Sequence, residues 1–192
     1  MSYVFGQNLG TTAYLLGDTK LTLGDVLVPG LSKPARLLNV PHVLKTVIIS
    51  PAHAVGWAGE LAFADDLFNT LFDLTTLSLD IILDHCLRVS RESQGSTDFL
   101  VMCAAPVSLH KVENGRCETL PPPMLTFVGD EAAHHIVVKH QPSEFEVGAA
   151  FSAVWVGDTE PTPLGRHRES LQNLIWEGDI PQRRWFHHVS GN

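Results

Sequence analysis

Two stretches of helical hydrophobic spacing stand back to back in the middle of this chain, with short strand-like runs on both sides. From Glu60 to Phe72 the apolar residues Leu61, Ala64, Phe68 and Leu71 recur three or four apart, while Asp65, Asp66 and Asn69 take the opposite side. From Leu79 to about Arg91 a second stripe contains Leu79, Ile82, Leu83, Cys86 and Val89. Ser78 fits an N-cap, and Asp80 in the first turn suits the positive end of the helix dipole. One-sided helices need an apolar surface to cover, and the flanking strands supply it.

Upstream, Tyr3 to Phe5 and Ala13 to Leu16 read as strands on either side of the turn-rich Gln7 to Gly10. Leu21 to Leu27 is a further apolar run, followed by a loop carrying Pro29, Gly30, Pro34 and Pro41. Val47 to Ser50 and Ala54 to Ala58 form a strand pair turned by Pro51-Ala52-His53. Downstream, Phe99 to Ala104 is apolar without a break, as in a strand buried on both faces. Ser108 to Val112 alternates and turns at Asn114-Gly115, a strong hairpin signal. Leu125 to Val128 and Ala150 to Val156 are further strands, a short helix starts near Asp130, and Glu169 to Trp176 reads as helical. The tail Pro181 to Asn192 is basic and aromatic and takes no assignment. This order predicts an α+β layered domain rather than a βαβ repeat, and 192 residues fit one domain.

An apolar share of 44% supports a packed core, and a formal charge of −8 argues against non-specific nucleic-acid binding. Cys86, Cys103 and Cys117 show no CxxC spacing, so neither a disulfide framework nor a structural zinc site is expected. That pattern suits a reducing compartment and predicts a cytoplasmic protein. The start of the chain lacks a basic segment and a long apolar core, and no apolar run is long enough to span a bilayer. The adjacent pairs His134-His135 and His187-His188 do not face one way on a helix, and no HExxH stands in the chain. No metal and no cofactor are therefore expected.

Three strings carry a family resemblance. Gly17-Asp18-Thr19-Lys20-Leu21-Thr22-Leu23-Gly24-Asp25 resembles the second-strand motif of proteasome β-type subunits and their bacterial relatives, including the Anbu group. Lys45 to Gly59, KTVIISPAHAVGWAG, resembles their lysine strand, turn and glycine-ended strand. Asp98 to Val112, with Phe127 to Ala133, is a weaker third match. The resemblance covers about residues 1–140, with 141–192 divergent. It implies one N-terminal-nucleophile (Ntn) hydrolase domain, an αββα sandwich of two antiparallel sheets flanked by helices. The family's final strands have no counterpart in the sequence.

The resemblance also implies chemistry. In this family the first residue of the mature chain is the nucleophile, and its own α-amine is the base. A hydroxyl is a weak nucleophile at neutral pH and needs a base within hydrogen-bond reach. An α-amine, with an ordinary pKa near 8, can serve once tuned by a nearby cation and carboxylate. The roles fall on Ser2 as nucleophile, Asp18 and Lys45 as tuners, and the Gly59 N–H as oxyanion donor. Removal of Met1 frees the amine, and Ser2 is small enough for an initiator-methionine aminopeptidase. His53, in the turn before Gly59, would join the site if the alignment holds. The substrate class is a peptide or amide, and ring-forming relatives imply a homo-oligomer joined through the helical faces.

The sequence also departs from the family. Serine replaces the usual threonine at position 2, Val128 stands where a serine is expected, and His187 stands in place of a late aspartate. An insertion with three prolines separates Asp18 from Lys45. Two functions therefore remain open: an amide-cleaving hydrolase, or a catalytically inactive subunit of the same fold used for assembly, binding or sensing.

Overall fold

The computed structural model describes residues 3–18, 45–131, 134, 151–156 and 186–189, with the backbone alone for Asp18 and for the last two segments. The apolar run at Leu21 to Leu27, the proline-rich loop and the expected helix at Glu169 to Trp176 lie outside the described residues.

Among the described residues twelve elements stand, and as far as β8 they keep the expected sequence of strands, two helices and strands. They are β1 (Tyr3–Asn8), β2 (Ala13–Asp18), β3 (Thr46–Ser50), β4 (His53–Gly59), α1 (Leu61–Asp73), α2 (Leu79–Glu92), β5 (Thr97–Ala104), β6 (Val107–Glu113), β7 (Arg116–Leu120), β8 (Leu125–Gly129), β9 (Phe151–Val156) and β10 (Phe186–Val189). They form two five-stranded sheets, in the orders β10-β9-β2-β1-β8 and β3-β4-β5-β6-β7. Neighbouring strands are antiparallel, with one exception. β10 runs parallel to β9, with Phe186 opposite Ala153 and Val189 opposite Val156. The two expected antiparallel sheets are present, and this edge pair is the departure from that expectation. The tail that took no assignment supplies β10, a further strand of the first sheet. Parallel neighbours need a long connection, so no short-range turn signal marks such a pair.

In the second sheet the strand period of two sorts the apolar side chains into two layers. Val4, Ala13 and Leu15 of the first sheet meet Ala54, Ala58, Leu100, Met102 and Leu109 of the second, which forms the core between the sheets. The alternate residues of the second sheet, among them Val55, Trp57, Phe99, Val101 and Val112, face Ala64, Leu67 and Leu71 of α1 and Ile82, Cys86 and Val89 of α2. β5 is apolar on both faces because one face meets the other sheet and one meets the helices.

Local chemistry sets the ends of these elements. The Ser78 hydroxyl accepts from the Ile81 N–H at 3.4 Å, with Asp80 in the first turn of α2 and Arg91 in its last. α1 has no side-chain N-cap; the Glu60 N–H at its start donates to the Thr97 hydroxyl at 3.1 Å. Asn114 and Gly115 turn the β6/β7 hairpin with φ of 51° and 69°, the left-handed pair that a two-residue turn demands. All three cysteines are free. No helix among the described residues is long and apolar enough to cross a membrane.

Candidate functional site

The start of β1, the end of β2 and the segment before β3 lie side by side. β1 and β2 pair with Val4 opposite Gly17, so the start of the first strand lies beside the end of the second. Lys45 stands just before β3, and its carbonyl accepts from the Trp57 N–H at 2.9 Å. The Lys45 side chain is 1% exposed, which makes it one of the largest fully buried side chains among the described residues.

Gly17 is the contact that joins these parts. A Cβ built on it would stand 3.2 Å from each of Lys45 Cβ, Thr46 Cγ2 and Val4 Cγ2. A Cβ on Gly56 would come within 2.7 Å of Val4 Cγ1. Both glycines let the two sheets close around Val4, two positions after Ser2. An ammonium group inside a packed region is costly to desolvate unless polar contacts compensate it.

Gly59 ends β4 opposite Thr97. Its φ is +129°, and a Cβ there would run into the Ser96 carbonyl oxygen and stand 2.7 Å from Thr97 Cα. Glycine is therefore required at this junction by sterics alone. The neighbouring Glu60 N–H is engaged by the Thr97 hydroxyl.

Of the sequence-derived set, Lys45 and Gly59 are described in full. Asp18 ends β2, with its backbone opposite Phe151. Ser2 lies outside the described residues. His53 does not join them. It opens β4, six residues before Gly59, so a strand rise of about 3.3 Å per residue puts it roughly 20 Å away. There it is buried, its Nδ1 is 2.9 Å from the Ser50 hydroxyl, and burial holds it below the ordinary imidazole value. Val128 pairs with Val4 and is fully buried in the core between the sheets.

A cluster on the face of β1 opposite Val4 has no counterpart in any sequence motif. Tyr3 Oη lies 2.9 Å from His134 Nδ1, and the His134 ring stacks on Phe127 at 3.8 Å between centroids with an interplanar angle of 12°. Burial, with a smaller contribution from Tyr14, raises the Tyr3 phenol above its usual range. Tyr3 and His134 stand 131 positions apart, so spacing could not have revealed the pair. Among the described residues no group of three or more His, Cys, Asp or Glu side chains is arranged to hold a metal ion.

No protein-family model matches the chain, and no curated protein does. In three dimensions it is similar to the crystal structure of eukaryotic HslV from Trypanosoma brucei. The two share 16% identity over 95% of each chain, with a TM-score of 0.47.

Proposed function

We propose that this chain is a proteasome-like Ntn hydrolase of αββα architecture that cleaves amide or peptide bonds. One observation carries the reading. The start of β1, the end of β2 and the buried Lys45 converge around Val4 and Gly17, in the chain order that the family resemblance of these segments implies.

In this reading Met1 is removed. Ser2 Oγ then attacks the substrate carbonyl carbon as its proton passes to the Ser2 α-amine. The Lys45 cation disfavours a second charge on that amine and keeps it available as a base. Asp18 holds the lysine charge in place. The developing oxyanion accepts from the Gly59 N–H. Collapse expels the amine of the substrate, which takes its proton from the α-ammonium. A water molecule then hydrolyses the Ser2 ester with the same amine as base, which restores the hydroxyl. Phe72 and Leu74, at the end of α1, are exposed apolar residues that suit homo-oligomer contacts through the helical face.

A second reading has its own support. Val128 occupies the position where the family resemblance calls for a serine, and it is buried among apolar residues with no hydroxyl to offer the site. This favours an inactive subunit used for assembly, binding or sensing.

Intact mass of the protein from its native host, followed by turnover of small peptide amides, separates the two. The hydrolase reading expects loss of Met1 and measurable turnover. Ser2→Ala should lower the rate at least about a thousandfold with the fold unchanged. Lys45→Met, which keeps the bulk and removes the charge, should abolish turnover and, because it leaves the Asp18 carboxylate without its cation, should also lower stability by about 3–5 kcal/mol; the folded fraction is therefore checked by circular dichroism before turnover is compared. Turnover surviving in Ser2→Ala would put the nucleophile elsewhere, and a retained Met1 would leave the second reading standing.

A further inference from the structure

The Tyr3–His134 pair has no part in the reaction as written, yet it acts on the residue next to the proposed nucleophile. Tyr3 opens β1 and is 3% exposed. β1 is an inner strand, paired on one side with β2 and on the other with β8, where Tyr3 stands opposite Gly129. Gly129 ends β8 with φ of +98°, and the chain then turns through a helical bond from the His134 N–H to the Asp130 carbonyl at 3.1 Å. This turn brings the imidazole back over the strand it has just left. Its face is fixed by the stack on Phe127, and its edge by the 2.9 Å bond to Tyr3 Oη. In the tautomer protonated at Nε2, the phenol donates and Nδ1 accepts. Phe5 adds a tilted ring contact to Tyr3 at 5.7 Å.

A strand end is where pairing opens most readily. We propose that His134 is a positioning residue: through Tyr3 it holds the first residue of β1 in register, and so fixes the α-amine and hydroxyl of Ser2 one residue away. Consecutive Cα atoms are about 3.8 Å apart, so freedom at Tyr3 passes directly to Ser2. An amine base and a hydroxyl that must meet one carbonyl tolerate little of it. This inference rests on the hydrolase reading.

Amide hydrogen exchange and single-substrate kinetics on the full-length protein, with Met1 removed, test it together. Tyr3→Phe keeps the ring and removes the hydroxyl. His134→Phe keeps the stack on Phe127 and removes the acceptor. Both should speed exchange at Val4 and Phe5 about fivefold while Val101 and Met102, in β5, stay within about twofold. Both should lower kcat about tenfold with KM little changed, and His134→Gln, which restores an acceptor, should recover much of it. Exchange unchanged at Val4 and Phe5, or raised equally in β5, would overturn the proposal. Local loosening with kcat unchanged would also overturn it and leave the hydrolase reading intact. An unmodified protein that cleaves no amide, with its Ser2 amine free, would remove that reading and this role with it.

Discussion

Gly59→Ala tests whether the end of β4 is as constrained as its geometry indicates. Two costs add there. The φ of +129° is a conformation that an L side chain rarely adopts, which costs about 1–3 kcal/mol. The new methyl would also collide with the Ser96 carbonyl and stand 2.7 Å from Thr97 Cα. Both are backbone atoms, one just before and one at the start of β5, an inner strand paired with β4 and β6, so neither can swing aside as a side-chain tip would. Overpacking of this kind adds about 1–3 kcal/mol. The expected loss is about 4 kcal/mol, or roughly 8–16 °C in Tm for a chain of this size. Gly10→Ala is the control. Its φ of +95° carries the conformational cost, but the nearest atom to a new Cβ is Pro122 Cβ at 3.8 Å. It should lose only about 1–2 kcal/mol. Urea unfolding of both variants at matched m measures the difference, which should be about 2–3 kcal/mol. Equal losses would refute the collision and show that the β4/β5 junction yields.

Two further predictions concern buried polar groups. Burial holds His53 and His110 below the ordinary imidazole value, so the folded state favours their neutral rings. The stability this contributes is complete above about pH 6.5 and is lost as pH falls through the folded-state values. Urea midpoints between pH 8 and pH 5 should fall on acidification, and a His53→Gln/His110→Gln variant should show a flatter decline; an identical slope would assign the acid sensitivity elsewhere. Asp98 ties α2 to the β6/β7 hairpin. One of its oxygens accepts from both the Ser90 hydroxyl and the Asn114 N–H at 3.0 Å, and Ser90 in turn accepts from the Gly115 N–H. An asparagine oxygen can accept both bonds, so Asp98→Asn should change stability by less than about 0.5 kcal/mol, whereas Asp98→Ala should cost about 2–3 kcal/mol. Burial, opposed by those two hydrogen bonds, raises the Asp98 carboxyl above its ordinary value. Its contribution therefore favours folding in acid and is lost as pH rises from about 4 through the folded-state value; Asp98→Asn should remove that component of the pH profile.

Local patterns determined most of the elements of this protein. Periodicity marked α1 and α2, Ser78 marked a helix start, and Asn114-Gly115 marked a hairpin, because each signal lies within one turn or one strand pair. The apolar run of β5 likewise announced a strand covered on both faces. Within the candidate site, Lys45 and Gly59 were named only through the family resemblance of their strings, and the string could not bury the one or show what a Cβ on the other would strike. Position in the sandwich decided the rest. His53 looked close to Gly59 in sequence, yet a strand carries the two to opposite ends. β10 found its place only by pairing with β9 some thirty residues earlier. The contact of Tyr3 with His134 joins residues 131 positions apart. Sequence spacing encodes what a few consecutive backbone angles can reach; contacts between distant segments depend on how whole layers pack, and only the folded chain fixes them.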